Sequence, residues 1–280
     1  MNIQQTKVAL VTGASSGIGK ATATALVAAG YITYATARRV EALSALKDLG
    51  CRVLQLDVTD DASMTAAVCA VEAEHGAIDV LVNNAGYGEL GSVEEVTMEN
   101  WQRQFDTNVF GLIRMCQLVL PGMRKQRYGR IVNIGSVGGL FTAPGAGAYH
   151  ASKYAVESVS DALRYEVLPF GVDVILIQPT GVQTPYVEKA MASIPQGSSE
   201  SPYAVFNKRL NAGVQQMFGP RARGILAPED VAGVVIKAVQ AQRPRTRYKV
   251  GVVAHILPLV RRVLPDRQWD AMMRLQLPMS

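Results

Sequence analysis

Two hydrophobic patterns alternate along the chain. Short runs rich in apolar and β-branched residues occur at Lys7–Thr12, Tyr31–Ala37, Arg52–Val58, Ile78–Val82, Arg130–Ile134 and Val172–Ile177, and Thr246–Val250, which holds Arg247 and Lys249, is a candidate seventh strand. Runs this short and continuous read as strands buried on both faces. Between them lie longer helical stretches: Ala21–Ala29, Val40–Leu49, Ala62–Glu74, Met98–Gln126, Tyr149–Leu168 and Pro228–Ala241. Strands alternating with helices imply right-handed βαβ crossovers and a parallel sheet covered on both faces. The expected fold is α/β, a doubly wound parallel sheet of about seven strands in one domain over residues 1–280. Pro185 to Leu226 breaks the rhythm, since a connection that long in a compact domain usually has a function. It is read as a lid, 185–226, and 252–280 as a C-terminal extension.

Composition adds limits. A chain of 280 residues, 49% of them hydrophobic, can bury one large core. The net charge of +5 is modest, and its densest stretch, Arg243 to Lys249, reads as a solvated loop rather than a nucleic-acid surface. Cys51, Cys69 and Cys116 are odd in number and far apart, so free thiols in a reducing compartment are expected, with no metal. A strand beginning at Lys7 leaves no room for a signal peptide. No apolar run reaches the ~18 residues of a membrane span. The longest candidate, Val250 to Val260, is interrupted by His255 and Pro258. A cytoplasmic protein is expected.

Candidate chemistry begins at Thr12-Gly13-Ala14-Ser15-Ser16-Gly17-Ile18-Gly19, between the first strand and first helix. Gly13 permits a tight turn, Gly17 lets backbone N–H groups approach a pyrophosphate, and Gly19 allows close helix–strand packing. The helix N-terminus then faces the anion. The second candidate is Tyr149-x3-Lys153. Residues i and i+4 share a helix face, which sets a phenol beside an ammonium. At ~6 Å and an effective dielectric of ~20, the cation favours phenolate by about 2.8 kcal/mol, or about two pKa units. Such a phenol suits general acid/base work near neutral pH. His150 is turned about 100° away and is not expected to take part.

Thr12-Gly13-x3-Gly17-x-Gly19 together with Tyr149-x3-Lys153 resembles the short-chain dehydrogenase/reductase family. The match continues in order with Asn83-Asn84-Ala85-Gly86, Asn108, Ser136 thirteen positions before Tyr149, and Pro179 with Val182 and Thr184. One departure is visible: the family usually has Gly after that proline, and this chain has Thr180 and then Gly181. The resemblance implies a Rossmann-type fold and hydride transfer between a nicotinamide and a carbonyl or alcohol carbon. Tyr149 would be the proton donor, with Ser136 on the same oxygen. Lys153 would lower the Tyr149 pKa and bind the nicotinamide ribose, and Asn108 would hold a relay water. Cofactor contacts would come from Gly13, Ser15, Ser16, Gly17, Ile18, Gly19, Asp57, Val58, Asn84, Ala85, Gly86, Tyr149, Lys153, Pro179, Val182 and Thr184. A helix N-cap before Thr59 is the bland alternative for Asp57. A homodimer or homotetramer through the Met98–Gln126 and Tyr149–Leu168 helices is also implied.

Strand two ends in Thr36-Ala37-Arg38-Arg39, with no carboxylate to grip a ribose 2′-OH. Arg38 would meet a 2′-phosphate instead, so NADP(H) is expected over NAD(H). The lid carries Tyr186, Met191, Ile194, Tyr203, Val205, Phe206, Met217 and Phe218, around a hinge at Ile194 to Pro202. Tyr87, Leu90, Leu140 and Phe141 would line the opposite wall. Such a site suits a bulky apolar ketone or aldehyde of steroid, retinoid or long-chain type. Arg221 and Arg223 at the lid's far end stand against it. The C-terminal run is also similar to the 17β-hydroxysteroid and retinol dehydrogenase branch. Competing readings are a non-catalytic redox sensor and a sugar-nucleotide epimerase or dehydratase. A third is a membrane-surface protein anchored by Ile256 to Arg262. The sensor would lose Tyr149, Lys153 or Ser136, and the epimerase branch would place a glycine at Ser16.

Overall fold

The computed structural model describes residues 6–195, 201–219, 222 and 224–276. The strands are β1 (Val8–Val11), β2 (Ile32–Ala37), β3 (Arg52–Gln55), β4 (Val80–Asn83), β5 (Gly129–Ile134), β6 (Val172–Pro179) and β7 (Arg247–Val250). They form one seven-stranded sheet in the order β3-β2-β1-β4-β5-β6-β7. Every adjacent pair is parallel. The helices are α1 (Gly17–Ala28), α2 (Ser44–Asp48), α3 (Asp61–His75), α4 (Met98–Phe105), α5 (Gly111–Gln126), α6 (Gly147–Val167), α7 (Tyr186–Ala192), α8 (Ala204–Phe218), α9 (Pro228–Gln240), α10 (Val253–Val263) and α11 (Asp266–Gln276).

The apolar runs split by strand period into two cores. Leu10, Leu81, Ile131 and Leu176 face α3, α5 and α6, where Val68, Met115, Val119 and Val156 meet them. Their neighbours Val11, Val82, Val132 and Ile177 face α1 and α9, against Leu26, Val231 and Val235. Alternate residues point to opposite faces of a sheet, so continuous apolar runs are what a doubly covered sheet needs. Each large side chain removed from water contributes about 1.5–3 kcal/mol.

Several expected elements differ in detail. The segment Val40–Leu49 opens as a 3₁₀ turn, Val40–Leu43, before α2. The single helix expected over Met98–Gln126 is interrupted by a π-helical stretch, Asp106–Phe110. The segment expected as a lid folds as α7 and α8, with the middle of its expected hinge, residues 196–200, outside the described residues. Arg221 and Arg223 lie outside them too. Among the described residues no helix is long and apolar enough to cross a membrane.

Candidate active site

Strand order reverses between β1 and β4, and ligands of doubly wound sheets bind beyond the carboxyl ends of strands at such a switch. The sequence motifs all leave the sheet at that edge: the glycine turn after β1, Asn84 after β4, Ser136 after β5 and Thr180 after β6.

The three glycines answer to different constraints. Gly13 (φ +66°) and Gly17 (φ +55°) occupy backbone conformations that disfavour a side chain. A Cβ on Gly13 would lie 2.8 Å from the Ala85 Cα, and one on Gly17 would lie 2.9 Å from Thr184. A Cβ on Gly19 would collide with Asn84 and the Gly13 carbonyl. Asn84 secures the turn by donating from Nδ2 to the carbonyls of Thr12 (2.9 Å) and Gly13 (3.0 Å). Thr12 Oγ1 accepts the N–H groups of Asn84 and Ala85, each at 3.0 Å. Helix α1 has no side-chain cap from Ser16 and no acidic residue in its first turn. Its terminal N–H groups therefore face an electropositive cradle that suits a dinucleotide pyrophosphate. Arg38 is exposed just past β2, whose Thr36 carbonyl accepts the Ala14 N–H at 2.8 Å.

Ser136, Tyr149 and Lys153 come together beside this cradle. The Ser136 Oγ accepts the Gly138 N–H at 3.0 Å and stands close enough to the Tyr149 phenol to lower its pKa. Capping a turn and contacting the phenol are thus the same placement. The Lys153 Nζ donates to the Ile134 carbonyl at 2.8 Å and lies 5.9 Å from the Tyr149 ring centroid. Helical spacing predicts a phenol made more acidic, but here its pKa moves the other way. Burial pushes Tyr149 above its ordinary value, against hydrogen bonds from Ser136 and Tyr186. Burial also pulls Lys153 down to about 8, against the attraction of Glu157. Desolvation disfavours each charged form, and residue spacing alone does not reveal it.

Tyr186, in the first turn of α7, meets the Tyr149 ring edge to face, with centroids 5.9 Å apart. Its hydroxyl end sits over Gly88, where any Cβ would collide with it. The segment after β6 is also held through Ser193, whose Oγ accepts the Leu90 N–H at 2.8 Å. Asn108 sits in the π-helical stretch. Its Nδ2 donates to the Tyr87 carbonyl (2.9 Å) and Ser152 Oγ (3.1 Å), while Oδ1 accepts the Tyr87 N–H (3.0 Å). Both amide hydrogens are spent on positioning, and only acceptor capacity remains for a water.

Other expected residues fall elsewhere. Phe141 turns into a separate apolar cluster with Val137, Ala254, Trp269 and Met273. Leu140 lines a cleft beside Pro258 and Leu259. Phe206 pairs with Tyr203 on the lid at 6.2 Å. The Tyr87 hydroxyl accepts from Arg103 at 3.2 Å. Asp57 accepts from the Thr59 N–H at 3.0 Å but does not cap α3; Asp60 does. Val58 packs on Gly111.

The short chain dehydrogenase family model matches residues 7–194. The chain belongs to the short-chain dehydrogenase/reductase family. It is 39% identical over 254 residues to the 3-ketodihydrosphingosine reductase of Bacteroides thetaiotaomicron, covering 90% of this chain and 91% of that one. It is 36% identical to human 17-beta-hydroxysteroid dehydrogenase type 1, covering 92% and 81%. A short-chain dehydrogenase from Streptomyces avermitilis superposes with TM-score 0.79 at 34% identity, covering 97% of this chain and 98% of that one. The closed form of a serine dehydrogenase complexed with NADP+ matches at TM-score 0.75 and 30% identity, covering 88% and 95%. A Burkholderia phymatum relative in complex with NAD matches at TM-score 0.79 and 27%, covering 97% of each. Nicotinamide dinucleotides of both kinds thus occur among the structural neighbours of this oxidoreductase.

Within the family frame, Thr180 has a local explanation. Its side chain stands over Gly251 (φ +95°), where a Cβ would lie 2.5 Å from the Thr180 Oγ. Glycine at 251 makes room for the residue that replaces glycine at 180. Three groups to which the sequence assigns no role support this short-chain dehydrogenase's site. The His150 Nδ1 lies 2.7 Å from the Gly138 carbonyl, and the ring packs between Tyr149 and Phe141. Buried Glu157 accepts from Gln178 (2.6 Å) and Arg247 (3.1 Å), one helical turn beyond Lys153. Arg247 also donates to Asp161 at 2.7 Å, so part of the basic stretch is an internal clamp. The signal in the sequence was Lys153-x3-Glu157-x3-Asp161, one charged stripe along α6. Asn83 donates to Asn133 (3.0 Å), which donates to Ser160 (2.9 Å), a buried ladder under the sheet edge.

Proposed function

We propose that this chain reduces a bulky apolar ketone or aldehyde to the alcohol with NADPH, and runs the reverse with NADP+. The observation that carries the reading is a buried Tyr149 phenol, its pKa raised by burial, close to Ser136 and Lys153. A bound nicotinamide supplies the hydride that reaches the carbonyl carbon. Tyr149 gives its proton to the carbonyl oxygen as negative charge develops there. Ser136 donates to the same oxygen, and one donor so placed contributes roughly 3 kcal/mol. Lys153 stands one turn away to hold the ribose and to stabilise the phenolate left after transfer. Asn108 positions Tyr87 and Ser152 around the pair, and its free acceptor site would take a relay water.

The dinucleotide would lie along Gly13, Ser15, Ser16, Gly17, Ile18 and Gly19. Asp57 and Val58 would flank the adenine, with Asn84, Ala85, Gly86, Pro179, Val182 and Thr184 along the rest. Arg38, exposed and with no carboxylate preceding it on β2, selects the 2′-phosphate. The substrate class is supported by relatives named for a long-chain keto base and for steroids. The apolar underside of the lid, with Val187 and Ile194 buried beneath it, agrees. Tyr186 and Leu90 would border the reacting oxygen. Subunit contact through α4, α5 and α6 would cover the exposed Met98, Phe110, Tyr154, Tyr165 and Leu168. The test is Tyr149→Phe assayed with NADPH and a series of ketones of rising chain length. Turnover should fall by ~100-fold or more. In the wild type each buried CH₂ should favour kcat/KM by up to about 0.8 kcal/mol. A flat series would remove the substrate class, and an active Tyr149→Phe would remove the proton donor.

A further inference from the structure

We propose that the outward face of α10 docks on an anionic lipid bilayer, lying on its surface without crossing it. Inward, Ala254 of α10 joins Val137, Phe141, Trp269 and Met273, with Leu257 and Val260 packed alongside. The opposite face is apolar as well. Val252, Ile256, Leu259 and Val263 are 73%, 55%, 62% and 72% exposed. At about 100° per residue their spacing of four, three and four puts all of them on one stripe about 60° wide. A helix apolar on both faces belongs in a buried setting, and here one face is left uncovered by the described residues.

Charge selects the partner. Residues 243–276 hold eight Lys and Arg against Asp266 and Asp270, a local +6; the whole chain is +5, so everything else sums to −1. Beside the stripe lies a cleft of about 410 Å³ that combines Leu140, Pro258 and Leu259 with Lys249, Arg261 and Arg262. Arg261 is tied to Asp266 at 2.7 Å, while Lys249 and Arg262 are exposed. An apolar stripe rimmed by cations matches the acyl boundary and headgroups of an anionic leaflet. Pairing two copies through the stripe would bring like-charged rims together, which is unfavourable. The docked helix would rest on Phe141, whose ring lies 5.8 Å from that of His150, the neighbour of Tyr149. Binding of this kind does not depend on the proposed reaction.

The experiment is flotation of the full chain with vesicles of phosphatidylcholine, with or without phosphatidylglycerol. Anionic vesicles should carry at least ~10-fold more protein at low salt, and high salt should reverse much of this. The double variant Ile256→Asp/Leu259→Asp should lose flotation, and Arg262→Glu should weaken it several-fold. All three residues are exposed or half-exposed surface positions, and unchanged thermal melting would show each variant folded. Failure to float, equal flotation on neutral vesicles, or variants that float like wild type would overturn the proposal. So would light scattering in which the double variant turns an oligomer into a monomer while wild type never floats.

Discussion

The ring of Tyr186 meets that of Tyr149 edge to face, with centroids 5.9 Å apart. Tyr186 acts to lower the Tyr149 pKa, as a hydroxyl that donates to the phenolate does, while burial raises it. A donor to a phenolate is worth about 1.5–3 kcal/mol, or about one to two pKa units. Tyr186→Phe should therefore move the pH limb of alcohol oxidation upward by about one unit or more. An unmoved limb would mean that lid and phenol separate before chemistry.

Cofactor choice rests on Arg38. Replacing it by Ala should raise KM for NADPH by ~10- to 100-fold, the worth of a charge-assisted pair, and leave KM for NADH nearly unchanged. Equal losses with both cofactors would point to a damaged turn instead of a lost phosphate contact.

Lys153 makes stability depend on pH. Its folded pKa of about 8 lies below the unfolded value near 10.5, so the unfolded chain binds the proton more tightly. Stability is therefore reduced below pH 8 and recovers as pH rises from about 8 toward 10.5. Lys153→Met removes the effect. The wild type should gain on that variant by about 2 kcal/mol between pH 7 and about 9.5 in urea unfolding. That range stays below the titration of Tyr149, whose raised pKa acts in the opposite sense at higher pH. A constant difference would show that Lys153 titrates normally in the folded chain.

The same pair marks the limit of what residue spacing reveals. The sheet was legible because Leu10, Leu81 and Ile131 alternate with neighbours that are also apolar, which only a doubly covered sheet tolerates. The glycine turn was legible because Gly13 and Gly17 require positive φ. The direction of the Tyr149 shift was not, because spacing gives the distance to Lys153 and says nothing of how much water remains. Nor were the contacts of Tyr186, His150 and Glu157, which depend on lid docking, a turn carbonyl and a strand far along the chain. The π-helical stretch at Asn108 escaped too, since no pattern of apolar residues marks one extra residue in a helix.

Gly251 and Thr180 provide a stability test at the edge of the site. Gly251→Ala meets two separate penalties: a positive φ of +95° and a Cβ placed 2.5 Å from the Thr180 hydroxyl. Strain of this backbone kind costs about 1–3 kcal/mol, and overpacking a further 1–3 kcal/mol. Thr180→Gly in the Gly251→Ala background removes the steric part and leaves the backbone part. The double variant should therefore recover roughly half of the lost stability in chemical unfolding, a coupling that independent positions do not show. Because Thr180 leads from β6 toward Val182 and Thr184, Gly251→Ala should also weaken dinucleotide binding, and Thr180→Gly should restore it. Additive losses would mean that the two residues do not press on each other in solution.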